Sequence, residues 1–274
     1  MKKIGIIGCG TIGGVVLEYI KSNLTQIAEV TAICDVDKQK TSDFSARFFL
    51  NKSIDIFEKY EDLINNVDLV VETASGQISG DITIKSLKQG KDIVVLSIGG
   101  LVNYYDEIQE IVKGDDSGTL YMPTGAISGI DCVCAGASKN IEKVTLTTRK
   151  PPKGLIGAPY LIENNIDLNT LGDEEFIVFE GSASDAIKGF PKNVNVAVVL
   201  SMAGIGLDKT KVKIITSNKF TSNSHEIYVK GDFGEMTSKT SNVPSPLNPK
   251  TSYLAALSAC ALVDKILSKI KIGN

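Results

Sequence analysis

Gly8-Cys9-Gly10-Thr11-Ile12-Gly13 decides how this chain begins to fold. The stretch is G-x-G-x-x-G. It directly follows the apolar run Lys3-Ile-Gly-Ile-Ile-Gly8, and it opens a segment, Gly13 to Asn23, in which Val15, Val16, Tyr19 and Ile20 recur at helical spacing. At such a strand-to-helix turn each glycine has its own task. The first permits the tight turn, the second lets a pyrophosphate approach the backbone, and the third allows the helix to pack closely on the strand. The helix N-terminus adds N–H donors and the positive end of a dipole. A second strand, Glu29 to Cys34, ends at Asp35, 22 positions after Gly13, where a carboxylate accepts from a ribose 2′-hydroxyl. Strand, turn, helix, strand and acid in this order predict dinucleotide binding at Gly8, Gly10, Thr11, Ile12, Gly13 and Asp35. Asp35 repels a 2′-phosphate, which favours NAD; Lys38 and Lys40 follow at once and either can reach a phosphate, so NADP is also admitted.

Working outward, the first half keeps alternating. Ile56 to Asn65 reads as a short helix or loop, Asp68 to Glu72 as a third apolar strand, Ser79 to Gln89 as a helix, Asp92 to Leu96 as a strand, Tyr105 to Lys113 as a helix and Thr119 to Met122 as a last short strand. Strands apolar on both faces and separated by helices predict a doubly wound parallel sheet of Rossmann type. After Pro123 the texture changes. A small-residue helix runs from Ser128 to Ala137, and Lys143 to Arg149, Lys211 to Ser217 and His225 to Gly231 alternate at period two, as strands with one solvated face do. The apolar segment Asn193 to Met202 between them reads as a helix. A second α/β domain with a mainly one-faced sheet is therefore expected. The last segment, Thr251 to Ile270, is one long helix preceded by the loop Val243-Pro-Ser-Pro-Leu-Asn-Pro249.

Composition narrows the function classes. The 274 residues are 43% hydrophobic and 22% charged with a formal charge of −3, which excludes disorder and leaves no electrostatic footprint for nucleic acid or an anionic membrane. Five scattered cysteines read as reduced, buried thiols. Only Cys132 and Cys134 are close, and a C-x-C pair with one histidine in the chain does not complete a zinc site of the usual kind, so no metal is expected. The N-terminal run is too broken by glycine for a signal peptide, and no stretch reaches the roughly 18 to 20 apolar residues of a membrane span; a cytoplasmic location is expected.

Four features outside the glycine turn can carry chemistry. His225, the single histidine, stands at the mouth of a predicted strand; it is either a solvated loop residue or a general acid–base group. Arg149, Lys150 and Lys153 form a basic cluster beside Pro151-Pro152, either a solvated turn or a dock for carboxylates. Asn195 opens an apolar helix, where its amide either caps the helix or binds a carboxamide, the spacing leaning to the cap. Thr124-Gly-Ala-Ile-Ser-Gly129 is a second glycine-bearing turn, either packing between domains or a backbone shelf under a nicotinamide ring.

The fingerprint Gly8 to Gly13, together with Pro123-Thr-Gly-Ala-Ile-Ser-Gly129, Phe190-Pro-Lys-Asn-Val-Asn-Val-Ala197, Ser222-Asn-Ser-His-Glu226 and Asn242-Val-Pro-Ser-Pro-Leu-Asn-Pro249, resembles the L-aspartate dehydrogenase family over the whole length. The resemblance implies an NAD(P)-dependent enzyme that interconverts L-aspartate and iminosuccinate and feeds NAD biosynthesis, with His225 catalytic and Ala126 and Asn195 contacting the cofactor. It also implies a homodimer whose C-terminal helix returns to the first domain, so that residues 1–124 with 247–274 form the nucleotide-binding domain and 125–246 the catalytic and dimerisation domain. Dihydrodipicolinate reductases and homoserine dehydrogenases share the fingerprint and the two-domain plan, but the former carry paired histidines. A non-catalytic NAD sensor would show a DNA-binding module or basic face, and neither is visible.

Overall fold

The computed structural model describes residues 1–50, 53–191, 194–246 and 248–273. Lys192, Asn193 and Leu247, which belong to motifs quoted above, lie outside the described residues, as does the position at which the chain was expected to re-enter the first domain. By contacts the chain divides into unit 1, Met1–Pro123 with Ala256–Ile272, and unit 2, Thr124–Ala255.

Unit 1 runs β1 (Lys2–Ile7), α1 (Thr11–Asn23), β2 (Ala28–Cys34), α2 (Lys38–Phe48), β3 (Asp55–Phe57), α3 (Tyr60–Asn65), β4 (Leu69–Glu72), α4 (Ser79–Lys88), β5 (Asp92–Val95), α5 (Tyr105–Ile111) and β6 (Leu120–Tyr121). Its strands lie in the order β3-β2-β1-β4-β5-β6, all parallel. The order reverses between β1 and β4, and the Gly8 to Gly13 turn leaves the carboxyl end of β1 there, the place where open α/β sheets bind ligands. Ile4, Ile6, Leu69, Val71 and Val94 of the strands are fully buried together with Val16 and Leu17 of α1. This is the Rossmann-type sheet expected from the sequence.

The charged helix α2 escaped the periodicity because it buries only Thr41 and Phe44. What starts it is local: the Asp37 side chain accepts from the backbone N–H groups of Gln39 and Lys40. The ambiguous segment after Ile56 divides into β3 and α3.

Unit 2 contains α6 (Ile130–Gly136), β7 (Ile141–Lys150), α7 (Pro159–Glu163), β8 (Phe176–Ser182), α8 (Ala183–Gly189), α9 (Asn195–Ala203), β9 (Lys211–Thr216), β10 (Ser224–Gly231), β11 (Gly234–Ser241) and the small hairpin β12 (Pro244–Ser245) and β13 (Asn248–Ser252). The order β11-β10-β7-β9-β8 is mixed, with β7 and β9 parallel and the other pairs antiparallel. On β10 the side chains of His225, Ile227 and Val229 are buried while their neighbours are half-exposed, so the sheet is packed on one face as its alternation foretold. β8, α8 and β11 were not foreseen. β11, Gly-Glu-Met-Thr-Ser-Lys-Thr-Ser, is polar because it lies at the sheet edge.

The last helix, α10 (Tyr253–Leu267), belongs to unit 1 from Ala256 onward, where Ala259, Cys260 and Val263 join the same apolar cluster as Val16. Cys9, Cys34 and Cys260 are buried as expected, but Cys132 and Cys134 are exposed, which corrects the reading of all five thiols as interior. Helix α6 is only two turns long and buries Val133 and Gly136, leaving positions 132 and 134 on its outer side. No helix among the described residues is long and apolar enough to cross a membrane.

Candidate functional site

In unit 1 the three glycines of the fingerprint differ in their surroundings as their tasks require. Gly8 has φ +101°, and a Cβ there would meet the Ala74 nitrogen at 2.6 Å; a Cβ on Gly13 would meet the Gly8 carbonyl oxygen at 2.4 Å. Gly10 has nothing within 4 Å of that position and is exposed, so its backbone is open to an incoming group. Thr11 and Ile12 then open α1, whose N-terminus no side chain caps. The first-turn N–H groups of such a helix have no intrahelical acceptor and attract an anion. Asp35 follows the end of β2, where Oδ2 accepts from the Cys9 N–H at 2.9 Å and Oδ1 from the Asp37 N–H at 3.0 Å, which fixes the carboxylate beside the glycine turn.

Beyond Asp35 opens a cleft of about 790 Å³, lined by Val36, Thr41, Ile56 and Phe57 among others. Lys38 also lines it but is paired with Glu58 at 2.5 Å. An open backbone, an uncapped helix start, an anchored carboxylate and an adjoining cleft fit a dinucleotide. At the ends of β4 and β5, the fully buried Glu72 accepts from the Ala74 N–H at 2.8 Å and the Ser97 N–H at 3.0 Å. Burial pushes its carboxyl above the usual range, opposed by those N–H donors.

In unit 2 the strand register assembles a second group of residues. His225 on β10 faces Thr148 on β7, and both are 5% exposed. Thr148 Oγ1 lies 3.0 Å from His225 Nδ1. Lys150, two residues further along β7, points to the same face. Next to this pair a cavity of only about 10 Å³, room for about one water, is walled by Thr148, Lys150, Phe190 and Ala197. On its other side His225 is paired with Thr240 of β11. Thr240 Oγ1 donates to the Ala126 carbonyl at 2.7 Å, and Asn242 Nδ2 donates to the same oxygen at 3.1 Å. Asn242 is 4% exposed, and its Oδ1 has no hydrogen-bond partner among the described residues.

The turn 124–129 is thereby pinned beside the histidine. A Cβ on Gly125 would lie 3.6 Å from Val196 Cγ1, so the start of α9, with Asn195, borders the same turn. His225, Lys150, Ala126 and Asn195 are thus gathered in one region of unit 2.

Three sequence readings are corrected here. Arg149 lies on the opposite face of β7 from His225, paired with Glu175 at 3.3 Å and Glu226 at 3.6 Å; the period of two separates it from Lys150. Asn195 is the first helical residue of α9 and the capping position falls on Val194, so the cap reading fails. His225 is not a loop residue titrating at its unperturbed value. Burial, and then the nearby Lys150 charge, push its imidazole down to about 3, while burial alone pushes the Lys150 ammonium down to about 8. The face therefore offers a neutral imidazole next to an amine that is charged at neutral pH and gives up its proton readily. Thr148, bonded to His225, and Asn242, bonded to the Ala126 carbonyl, were not singled out among the candidate residues of the sequence. The alternation of β7 was legible, but which strand would pair with it was not.

Comparisons with known proteins agree with both halves of this description. Residues 131–266 match the family model described as aspartate dehydrogenase, C-terminal, and residues 8–121 the model described as homoserine dehydrogenase, NAD binding domain. The chain is 47% identical to an L-aspartate dehydrogenase of Methanosarcina mazei over 277 residues, and 37% identical to one of Methanococcus maripaludis over 276, with 100% of each chain covered in both cases. In fold it is similar to the crystal structure of aspartate dehydrogenase from Thermotoga maritima, with TM-score 0.72 and 23% identity over 100% of both chains. A hyperthermophilic archaeal homoserine dehydrogenase in complex with NADPH gives TM-score 0.60 at 14% identity over 100% of this chain and 99% of that one.

Proposed function

The chain belongs to the L-aspartate dehydrogenase family, and from that premise we propose that it oxidises L-aspartate to iminosuccinate with NAD as the preferred acceptor, supplying a precursor for NAD biosynthesis. It is an oxidoreductase that uses a nicotinamide cofactor and acts on a small molecule. The observation that carries the finer reading is the buried His225 held on the same sheet face as the half-buried Lys150, across the β7–β10 pairing.

When bound, the nicotinamide supplies the hydride acceptor. The glycine turn, the N–H groups of Thr11 and Ile12 and the Asp35 carboxylate hold the dinucleotide, and Ala126 and Asn195 contact its nicotinamide end. Asp35 disfavours a 2′-phosphate, and Glu58 keeps Lys38 occupied, although an exposed pair such as this is worth little and a phosphate can compete for the lysine. His225 takes a proton from the substrate ammonium, directly or through a water. The amine lone pair then forms the C=N bond as the hydride leaves Cα. Lys150 binds one of the two substrate carboxylates, and that negative charge in turn raises the basicity of the imidazole. The bound product is the imine, whose hydrolysis needs only water.

Residues 1–124 with 247–274 are proposed as the nucleotide-binding domain and 125–246 as the catalytic and dimerisation domain of a cytoplasmic homodimer. The test of the activity is a panel of amino acids incubated with NAD, following reduced cofactor by absorbance. L-Aspartate is expected to react far faster than L-glutamate, L-alanine or L-homoserine; equal rates with homoserine would favour a homoserine dehydrogenase type instead.

A further inference from the structure

A neutral imidazole carries one N–H, and which ring nitrogen holds it is set by the hydrogen bond that the other groups around the ring allow. At His225 the neighbour is Thr148, opposite it in the strand register, with Oγ1 at 3.0 Å from Nδ1 and both side chains 5% exposed. A threonine hydroxyl can donate or accept. If it donated to Nδ1, the ring proton would sit on Nε2, and neither nitrogen could receive a proton from an ammonium. If it accepts from Nδ1–H, Nε2 carries a free lone pair.

We infer that Thr148 is a positioning residue of the reaction: its Oγ1 accepts the Nδ1–H of His225 and so leaves Nε2 as the basic nitrogen. The inference rests on the proposed role of His225 as base and goes beyond it by naming the group that prepares the base. The cross-strand bond also holds the ring orientation, because both partners stand on a packed sheet face. Removing Oγ1 leaves an N–H at Nδ1 buried without an acceptor, so the proton moves to Nε2 and the basic nitrogen is lost.

The chain has a single histidine, so the full-length protein labelled with ¹⁵N gives one pair of imidazole nitrogens and needs no assignment. Long-range ¹H–¹⁵N correlation of the wild type is expected to show a protonated Nδ1 and a bare Nε2. Thr148→Val, close to isosteric, is expected to shift the population toward Nε2–H and to lower kcat for L-aspartate by about tenfold, with both KM values within about twofold. Thr148→Ser restores the hydroxyl and is expected to restore both the spectrum and kcat. A wild-type spectrum showing Nε2–H overturns the inference by itself, whether or not the valine variant folds. It is equally overturned by a valine variant whose tautomer or kcat is unchanged. His225→Ala in the same assay keeps the two readings apart: full activity there refutes the base, whereas lost activity there with an unaffected Thr148→Val refutes only the role of Thr148.

Discussion

Replacing His225 by alanine is expected to lower kcat for L-aspartate by about 10² to 10⁴-fold, the usual worth of a general acid–base group. The NADH dissociation constant, read by fluorescence titration, should change little, because in the proposed function the dinucleotide is held mainly by the Gly8 to Gly13 turn and Asp35. Near-complete activity would return His225 to the role of a core residue. The pH profile belongs to its neighbour. With the imidazole down at about 3, it is unprotonated throughout the working range, and no limb near 6.5 is expected from it in the free enzyme. In its proposed role Lys150 must keep its proton to hold a carboxylate, and its charged fraction falls as pH rises through about 8. The KM for L-aspartate is therefore expected to be level below that pH and to climb above it, approaching about tenfold per unit. Lys150→Met should show a raised KM at every pH and lack this rise. The difference between the two profiles isolates the lysine from the titration of the substrate amine, and parallel profiles would remove Lys150 from the site.

At the scale of elements, the β1 to α1 connection and the end of β2 are tied together by the Asp35 carboxylate, which accepts from the Cys9 N–H, and we propose them as one device for the nucleotide. Gly13→Ala places a methyl group 2.4 Å from the Gly8 carbonyl oxygen, a backbone atom that cannot swing away. Overpacking of this kind costs about 1–3 kcal/mol. The variant is expected to melt lower and to gain less in Tm from added NADH than the wild type. An unchanged NADH-induced shift would mean the turn tolerates the methyl group. Asp35→Ser is expected to move the ratio of kcat/KM values toward NADP, since it removes both an acceptor for the 2′-hydroxyl and a charge that repels a 2′-phosphate. An unchanged ratio would assign the discrimination to Asp37 or to the backbone. Helix α2 shows how an element can escape periodicity: two buried side chains are too few to make a pattern, and a single aspartate cap starts it.

At the scale of the molecule, the chain leaves unit 1 after Pro123 and comes back to it at Ala256. Ala259, Cys260 and Val263 are at most 2% exposed within the apolar cluster of unit 1, so the core of that unit is incomplete without α10. A chain ending at Ser252 is expected to lose cooperative unfolding of unit 1 in urea and, with it, NADH binding. If the truncated protein binds NADH with unchanged affinity, α10 is an accessory to unit 1 and not part of its core.

Read alone, the amino-acid order determined the nucleotide-binding half. Its signals are short-range: apolar strands, three glycines with distinct tasks, and an acid at a fixed distance all report on residues close in the chain. It also determined that Lys143 to Arg149 and His225 to Gly231 are strands with one buried face, since a period of two is local as well. Only the tertiary structure decided what that face does. Pairing β7 with β10 brought Thr148 to His225 across 77 positions, and it selected Lys150 over Arg149 by fixing which side of β7 turns inward. Desolvation, which pushes the His225 imidazole and the Lys150 ammonium below their ordinary values, depends on everything packed around them, and no property of the residues themselves or of their chain neighbours contains it.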